Sequence, residues 1–399
     1  MVRFVSLLLA VALASALPAA AAGSPTPTDR DWRTWPFSET SPWNHPIGSG
    51  AQFTTVPGLS TFSASINYDD RWTSSIVIAQ PSDPEIGISF GPGWGSNSQW
   101  AFLDGGGKTC GNVRSVELEL LRYATLTLPF DGNYYSTLST PDDSRWVLPT
   151  DYHKASQDYR STFRFPYGAC PSPDSDGLMA VFQPDGWVLD IFAAIVTSDH
   201  QVLGTMASYI DARGDGTGWW NGRRASMLPS FAGLIRTGEI ASGTIPHALA
   251  VQVPSTLLKE QAVWPAYAFD RNAGYSGTLP MGALLAIPPA VDVTQLGLSP
   301  HGLAIARAAQ NYGVYVVDRG GTGINVMAEL ANPEIRWQPS AAGPAWWQDI
   351  STIKNLLKRV SNNGPANIGG GGTPVAPFAP PFRVERPSPP RLLSNVPAN

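Results

Sequence analysis

Residues 175–196 read SDGLMAVFQPDGWVLDIFAAIV, and this stretch decides the fold. Two β-rich runs flank Asp185-Gly186, a dipeptide suited to the left-handed backbone of a tight hairpin turn. A two-residue loop places Gln183 opposite Val188, Val181 opposite Asp190 and Met179 opposite Phe192. One sheet face then carries Met179, Val181, Val188, Asp190 and Phe192, with Asp190 the single acid in the set. Asp176 falls on the other face, with Leu178, Ala180 and Phe182. The two carboxyls pair only if a bulge at Gly177 breaks the alternation. Otherwise Asp176 is a turn residue that caps its own backbone.

Short apolar runs recur between turn signals from Ile66 to about Val291, and five of them precede this hairpin. They are SSIVIAQ (74–80), EIGISFG (85–91), SVELELL (115–121), TLTLPF (125–130) and RWVLP (145–149). The pattern predicts an all-β dominated fold, a β-sandwich or jelly roll, with one or two peripheral helices. SPHGLAIARAAQNYG (299–313) has Ser299 as N-cap, Pro300 in the first turn and Gly313 as stop. WWQDISTIKNLLKRV (346–360) carries Ile350, Ile353, Leu356, Leu357 and Val360 at helical spacing.

The ends of the chain read differently. Arg3, an apolar core over Phe4–Leu17 and Ala20-Ala21-Ala22 make residues 1–22 a secretory signal peptide, which predicts a secreted protein, extracellular or periplasmic. Residues 23–65 form an extended segment whose Trp32, Trp35 and Trp43 clip it to the body. The β-sandwich catalytic domain is expected over 66–361, and a Gly/Pro-rich disordered tail over 362–399. No later run is apolar enough to span a membrane.

Composition agrees with an exported β protein. Charged residues are 14% of the chain, against 39 Gly, 37 Pro and 14 Trp. A net charge of −5 argues against nucleic acid, which would need a basic surface. Cys110 and Cys170 are the two cysteines, and an oxidising compartment pairs them as a disulfide joining distant loops.

Four stretches compete for chemistry. In AGLIRTGEIASGTIPHAL (232–249), Arg236, Glu239 and His247 interrupt small and apolar residues, reading as a turn followed by a strand. They are either a structural ion pair with a backbone-satisfied histidine or part of a site. Asp176 and Asp190 of the hairpin are the second group. DARGDGTGWWNGRRAS (211–226) is the third. Its acids lack EF-hand spacing, so no metal is assigned. Arg213, Trp219, Trp220, Arg223 and Arg224 instead suit a sugar platform, indoles stacking on rings and guanidinium groups donating in pairs. The alternative is a surface loop packed on the body. WPAYAFDRNAGY (264–275) is the fourth, with Tyr267 and Asp270; it joins a cleft if it borders the 211–239 loops. No G-x-S-x-G, H-E-x-x-H, P-loop or dinucleotide signature occurs, and no cofactor is expected.

GLIRTGEI…GTIPHAL, VWPAYAFD, LPMGALL and YGVYVVD, with SPWNHPIGSGA near the start, resemble a family of secreted bacterial proteins. The resemblance covers roughly 174–318 and brings no activity with it. More loosely, the chain resembles jelly-roll enzymes that act on extracellular polysaccharides, an analogy of fold from which no catalytic residue is carried over.

These features predict a glycoside hydrolase acting on an extracellular or cell-wall polysaccharide through two carboxyl groups. The candidates are Glu239, Asp190 and Asp270, then Asp176, with Asp190 as acid and Glu239 as base or nucleophile. Substrate would be held by Arg213, Trp219, Trp220, Arg224, Arg236 and Tyr267. A polysaccharide lyase is the alternative, with His247 or Tyr267 as base and arginines neutralising a uronate. A non-catalytic carbohydrate-binding protein is the third reading.

Overall fold

The computed structural model describes residues 29–68, 73–90, 110, 162–173, 177–204, 206–218, 222–270, 274–335 and 345–383. The expected signal peptide (1–22) and the runs 115–121, 125–130 and 145–149 lie outside the described residues, as do Asp176, Trp219 and Trp220. The chain is sheet-rich, with several sheets and few helices. No helix among the described residues is long and apolar enough to cross a membrane.

The hairpin forms with a correction of one residue. Strands β1 (Ser75–Ile78), β2 (Met179–Phe182), β3 (Trp187–Phe192) and β4 (Met206–Asp211) make one sheet, in the order β4-β3-β2-β1. Phe182 opposes Val188, Ala180 opposes Asp190 and Met179 opposes Ile191. The loop has three residues, Pro184–Gly186, closed by the Trp187 carbonyl accepting from the Gln183 N–H at 2.7 Å. Gly186 takes φ 96°, the left-handed position that such a loop requires. Asp190 therefore shares its face with Ala180, Phe182 and Val188. Met179, Val181, Leu189 and Ile191 fill the other. Both faces are buried, so alternation between core and solvent does not mark the register.

A seven-stranded mixed sheet packs against the first. Its order is Phe53–Thr54, Lys358–Val360, β6 (Leu284–Ala286), β7 (Val314–Gly320), β5 (Leu249–Pro254), β8 (Ile324–Met327) and Ala64–Asn67. Ala250, Ala286, Tyr315 and Val317 of this sheet share one core layer with Ala180, Phe182, Val188 and Ile210 of the other. The far face of the larger sheet is covered by α2 (Pro300–Asn311) and α3 (Ala345–Leu356), through Ile305, Ala308, Ile350 and Ile353. A short helix, α1 (Glu239–Ser242), precedes β5 where a turn was expected.

Ser299 caps α2 as predicted, its hydroxyl accepting from the Gly302 N–H. The expected helix over 346–360 ends at Leu356. Lys358–Val360 instead become a strand, because Phe53–Thr54 and β6 offer it antiparallel partners.

Residues 29–51 form a succession of turns rather than the extended segment expected, because their own backbone groups pair locally (Trp35 N–H to Asp31, Ser41 N–H to Ser38, Asn44 N–H to Ser41), and Trp32 and Trp43 are buried. They are held partly by residues that were expected to be loose. Gly48 and Gly50 donate to the carbonyls of Gly369 and Gly371, and the Val375 N–H to Ile47, so the chain has a bonded path through Arg383. Four successive glycines, Gly369–Gly372, take φ between 65° and 87°, which lets two backbones approach without side chains. Cys110 and Cys170 are joined as a disulfide.

Candidate functional site

Asp190 is sealed. It is 0% exposed, and both carboxylate oxygens bond to Ser230, one to its N–H at 2.9 Å and one to its hydroxyl at 2.5 Å. Burial pushes the carboxyl up from its ordinary value, against the charges of Arg223 and Arg224 and the Ser230 bonds. The Arg223 Nε–H donates to the Asp190 carbonyl at 3.2 Å. Arg224 donates to the Ser230 carbonyl at 2.7 Å.

Arg236, Glu239 and His247 do converge, into a closed ionic net. α1 turns Glu239 back so that one oxygen accepts the Arg236 backbone N–H at 2.7 Å; the other lies 3.0 Å from His247 Nε2. His247 Nδ1 lies 2.9 Å from the Ala248 carbonyl. Both neighbours are acceptors, so both ring nitrogens carry protons and the imidazole is charged. Burial works to lower the His247 pKa, but Glu239 and the two bonds outweigh it and hold the value above its ordinary one. The Arg236 guanidinium pairs with Glu329, an acid absent from the sequence expectations, at 2.6 Å. Neither histidine nitrogen keeps a lone pair for a base.

The third arrangement is open. β5 and β7 are parallel, and their register slips between Val251–Val316 and Gln252–Asp318. Val317 is the extra residue, a β-bulge that breaks alternation just before Asp318. The Val317 carbonyl accepts the Ser226 N–H at 3.1 Å, and the Ser226 carbonyl accepts the Tyr267 N–H at 3.0 Å. The 211–226 and 264–275 stretches therefore meet at the end of β7. There Tyr275 donates to Asp270 at 3.4 Å, Arg319 stands 3.8 Å from the same carboxylate, and the Arg319 N–H donates to Asp318 at 2.8 Å.

Electrostatics couple the two acids. Protein crowds the Asp318 carboxyl, and burial with the charge of Asp270 pushes it up to about 7; Arg224 and two backbone N–H groups resist. Burial also raises Asp270, by more than Arg319 and the Tyr275 bond lower it, and its side chain remains 41% exposed. Both carboxyls are thus shifted toward their protonated forms, Asp318 to about 7, beside the cationic Arg319. Tyr275 lies in the field of both acids and is raised by burial and by both charges.

The remaining candidates are dispersed. Arg213 bonds to the Asp185 carbonyl and the Asp211 carboxylate, bracing the hairpin loop. Tyr267 donates to Thr217 at 3.0 Å, and burial raises its phenol. Among the described residues, no group of three or more His, Cys, Asp or Glu side chains is placed to hold a metal ion. Asp318 was missed although YGVYVVD was singled out. The usable signal was an acid interrupting an otherwise apolar strand and followed by Arg319. No family model, no curated protein and no solved structure matches this chain, so its functional reading rests on this geometry.

Proposed function

We propose that the chain is a secreted glycoside hydrolase that cleaves an extracellular or cell-wall polysaccharide, with Asp318 as general acid and Asp270 as its ionised partner. The carrying observation is the pair of acids that β7 and the 264–275 stretch bring together, Asp318 raised to about 7 and Asp270, also raised, 41% exposed beside Arg319. Hydrolysis of a glycosidic bond needs this asymmetry: one group protonates the departing oxygen while the other attacks the sugar or activates water. Arg224 limits how far the Asp318 pKa rises, keeping its proton transferable near neutral pH. A jelly-roll arrangement of the stacked sheets and export by the leader belong to the same reading.

Elimination is less well supported. His247 has both nitrogens engaged as donors, and Tyr267 is raised, so the two bases named for a lyase are poorly armed. A purely binding role gives no reason to maintain two mutually repelling carboxyls, an arrangement that costs stability.

The test is incubation with plant, algal and bacterial glycans, read for reducing ends and ultraviolet absorbance together. Reducing ends without absorbance are expected from the wild type, and none from Asp318→Asn or Asp270→Asn. Unsaturated products, inactivity on every glycan, or full activity in both variants would overturn the proposal.

A further inference from the structure

One row across the seven-stranded sheet is polar from strand to strand, and it begins at Asp318. Asp318 of β7 opposes Gln252 of β5, Gln252 opposes Asn325 of β8, and Asn325 opposes Ser65 of the edge strand. Ala250 of β5 and Met327 of β8 belong to the core layer between the two sheets. Gln252 and Asn325, two residues away along the same strands, continue that face. Gln252 is buried, while Asp318, Asn325 and Ser65 are half-buried, close to the exposed turn at 321–322 that joins β7 to β8.

Within the row the side chains are held in set orientations. The Asn67 amide donates to Gln252 at 2.8 Å, and the Ser65 hydroxyl donates to Asn325 Oδ1 at 2.5 Å. The second bond fixes which way the Asn325 amide turns. Its Nδ2 is left as a donor with no acceptor among the described residues. Gly320, at the end of β7, keeps the space beside this donor clear, since a Cβ there would lie 3.1 Å from Nδ2.

An oriented amide donor that the fold does not use, two strands from the proposed acid, suits the hydroxyl oxygen of a sugar. The row holds no cation. Arg319 opposes Val253, which packs on the helix-covered side, so its register places it on the other face of the sheet. An uncharged sugar therefore matches the row, and a uronate does not.

We infer that Asn325 is a substrate-binding residue, its Nδ2 donating to a hydroxyl of an uncharged sugar unit about 10 Å, two strand spacings, from Asp318. The glycan then crosses the strands rather than following them. The inference takes its ligand from the glycosidase reading and deepens it.

Calorimetry on the full chain carrying Asp318→Asn separates binding from cleavage. The probes are the hexasaccharides of cellulose, xylan, mannan and arabinan, with hexagalacturonate as the charged one. At least one neutral probe should bind, and hexagalacturonate should bind more weakly. Asn325→Asp, added to the same background, keeps the oxygen that Ser65 meets and removes the donor. It should weaken neutral binding about tenfold. Unchanged affinity, a preference for hexagalacturonate, or no binding of any neutral probe would overturn the inference while leaving hydrolysis to be judged separately. A wild type that releases no reducing ends would overturn the glycosidase reading instead, and the Asn325→Asp comparison would still decide whether the row holds sugar. If Asn325→Asp does not fold, Ser65→Ala, which frees the amide to turn, should weaken binding severalfold, and unchanged affinity there refutes the assignment.

Discussion

Asp190 and Asp318 invite comparison because the same force acts on both. Each is an acid on a central strand, each is pushed toward its protonated form by burial, and each feels the positive charge of Arg224. Their surroundings then diverge. Asp190 has no exposed surface and gives both oxygens to Ser230, so neither is left to meet a substrate. Asp318 follows a bulge midway along a parallel pair, and its strongest partner after burial is another acid, itself 41% exposed. A raised pKa alone therefore does not identify a catalytic acid. What separates the two is whether the cost of burial has been offset locally or left standing.

The largest effect expected from this contrast is on turnover. Asp318→Asn should lower kcat on a susceptible glycan on the order of 10⁴-fold, since it removes the transferable proton, while the melting midpoint stays the same or rises. Asp190→Ala should do the reverse. It strands Arg223 and Ser230 in the interior and should cost about 3–5 kcal/mol in urea unfolding. Any kcat that survives measurement in the folded fraction should be near normal. Asp190→Asn, which keeps an oxygen for the Ser230 N–H, should cost about 1–2 kcal/mol. Equal loss of turnover in the Asn variants of Asp190 and Asp318 would erase the distinction.

A smaller effect is expected from pH. The raised carboxyls bind protons in the folded state that the unfolded chain has already released, so their stabilisation is present at low pH and is lost as pH rises. For Asp318 the window runs from the unfolded value near about 4 up to about 7. His247, also raised, slopes the same way: its contribution is complete below its unfolded value and fades as pH rises through the folded one. Asp31 and Asp292 are lowered, so their losses fall below the ordinary carboxylate range and leave this window untouched. The urea midpoint should therefore be higher at pH 5 than at pH 8, and Asp318→Asn should flatten part of the slope. A midpoint that climbs from pH 5 to pH 8 contradicts the sign.

The same contrast explains what the sequence could convey. The strands of the hairpin were legible in their β-branched and apolar runs, and α2 in its Ser299 cap and Gly313 stop. Register was not, because both faces of that sheet are buried and a Pro-Asp-Gly loop differs from an Asp-Gly turn by one residue. The end of α3 and the path of Gly369–Gly372 depend on partners roughly 300 residues away in the N-terminal segment, beyond any local pattern. Arg236, Glu239 and His247 were visible as an anomaly, but Glu329, which completes their net, is remote. Asp270 was visible as an acid among aromatics. Asp318 becomes distinctive only when β5 pairs with β7 and leaves Val317 without a register partner.

The smallest expected effect probes how the open pair is divided. Tyr275 donates to Asp270 across 3.4 Å, a long bond, and lies in the field of Asp318 as well. Its phenol is raised, so at neutral pH it remains a donor, and a donor favours the ionised form of the carboxylate that it meets. Tyr275→Phe removes that support, leaves the ring packed, and should cost less than about 1 kcal/mol of stability. Asp270 should then titrate at higher pH, moving the acidic limb of the kcat/KM profile upward, while the basic limb set by the Asp318 proton moves little. A structural role for Tyr275 would instead lower activity equally at every pH. A shift of the basic limb alone would reverse the assignment of acid and base between the two carboxyls.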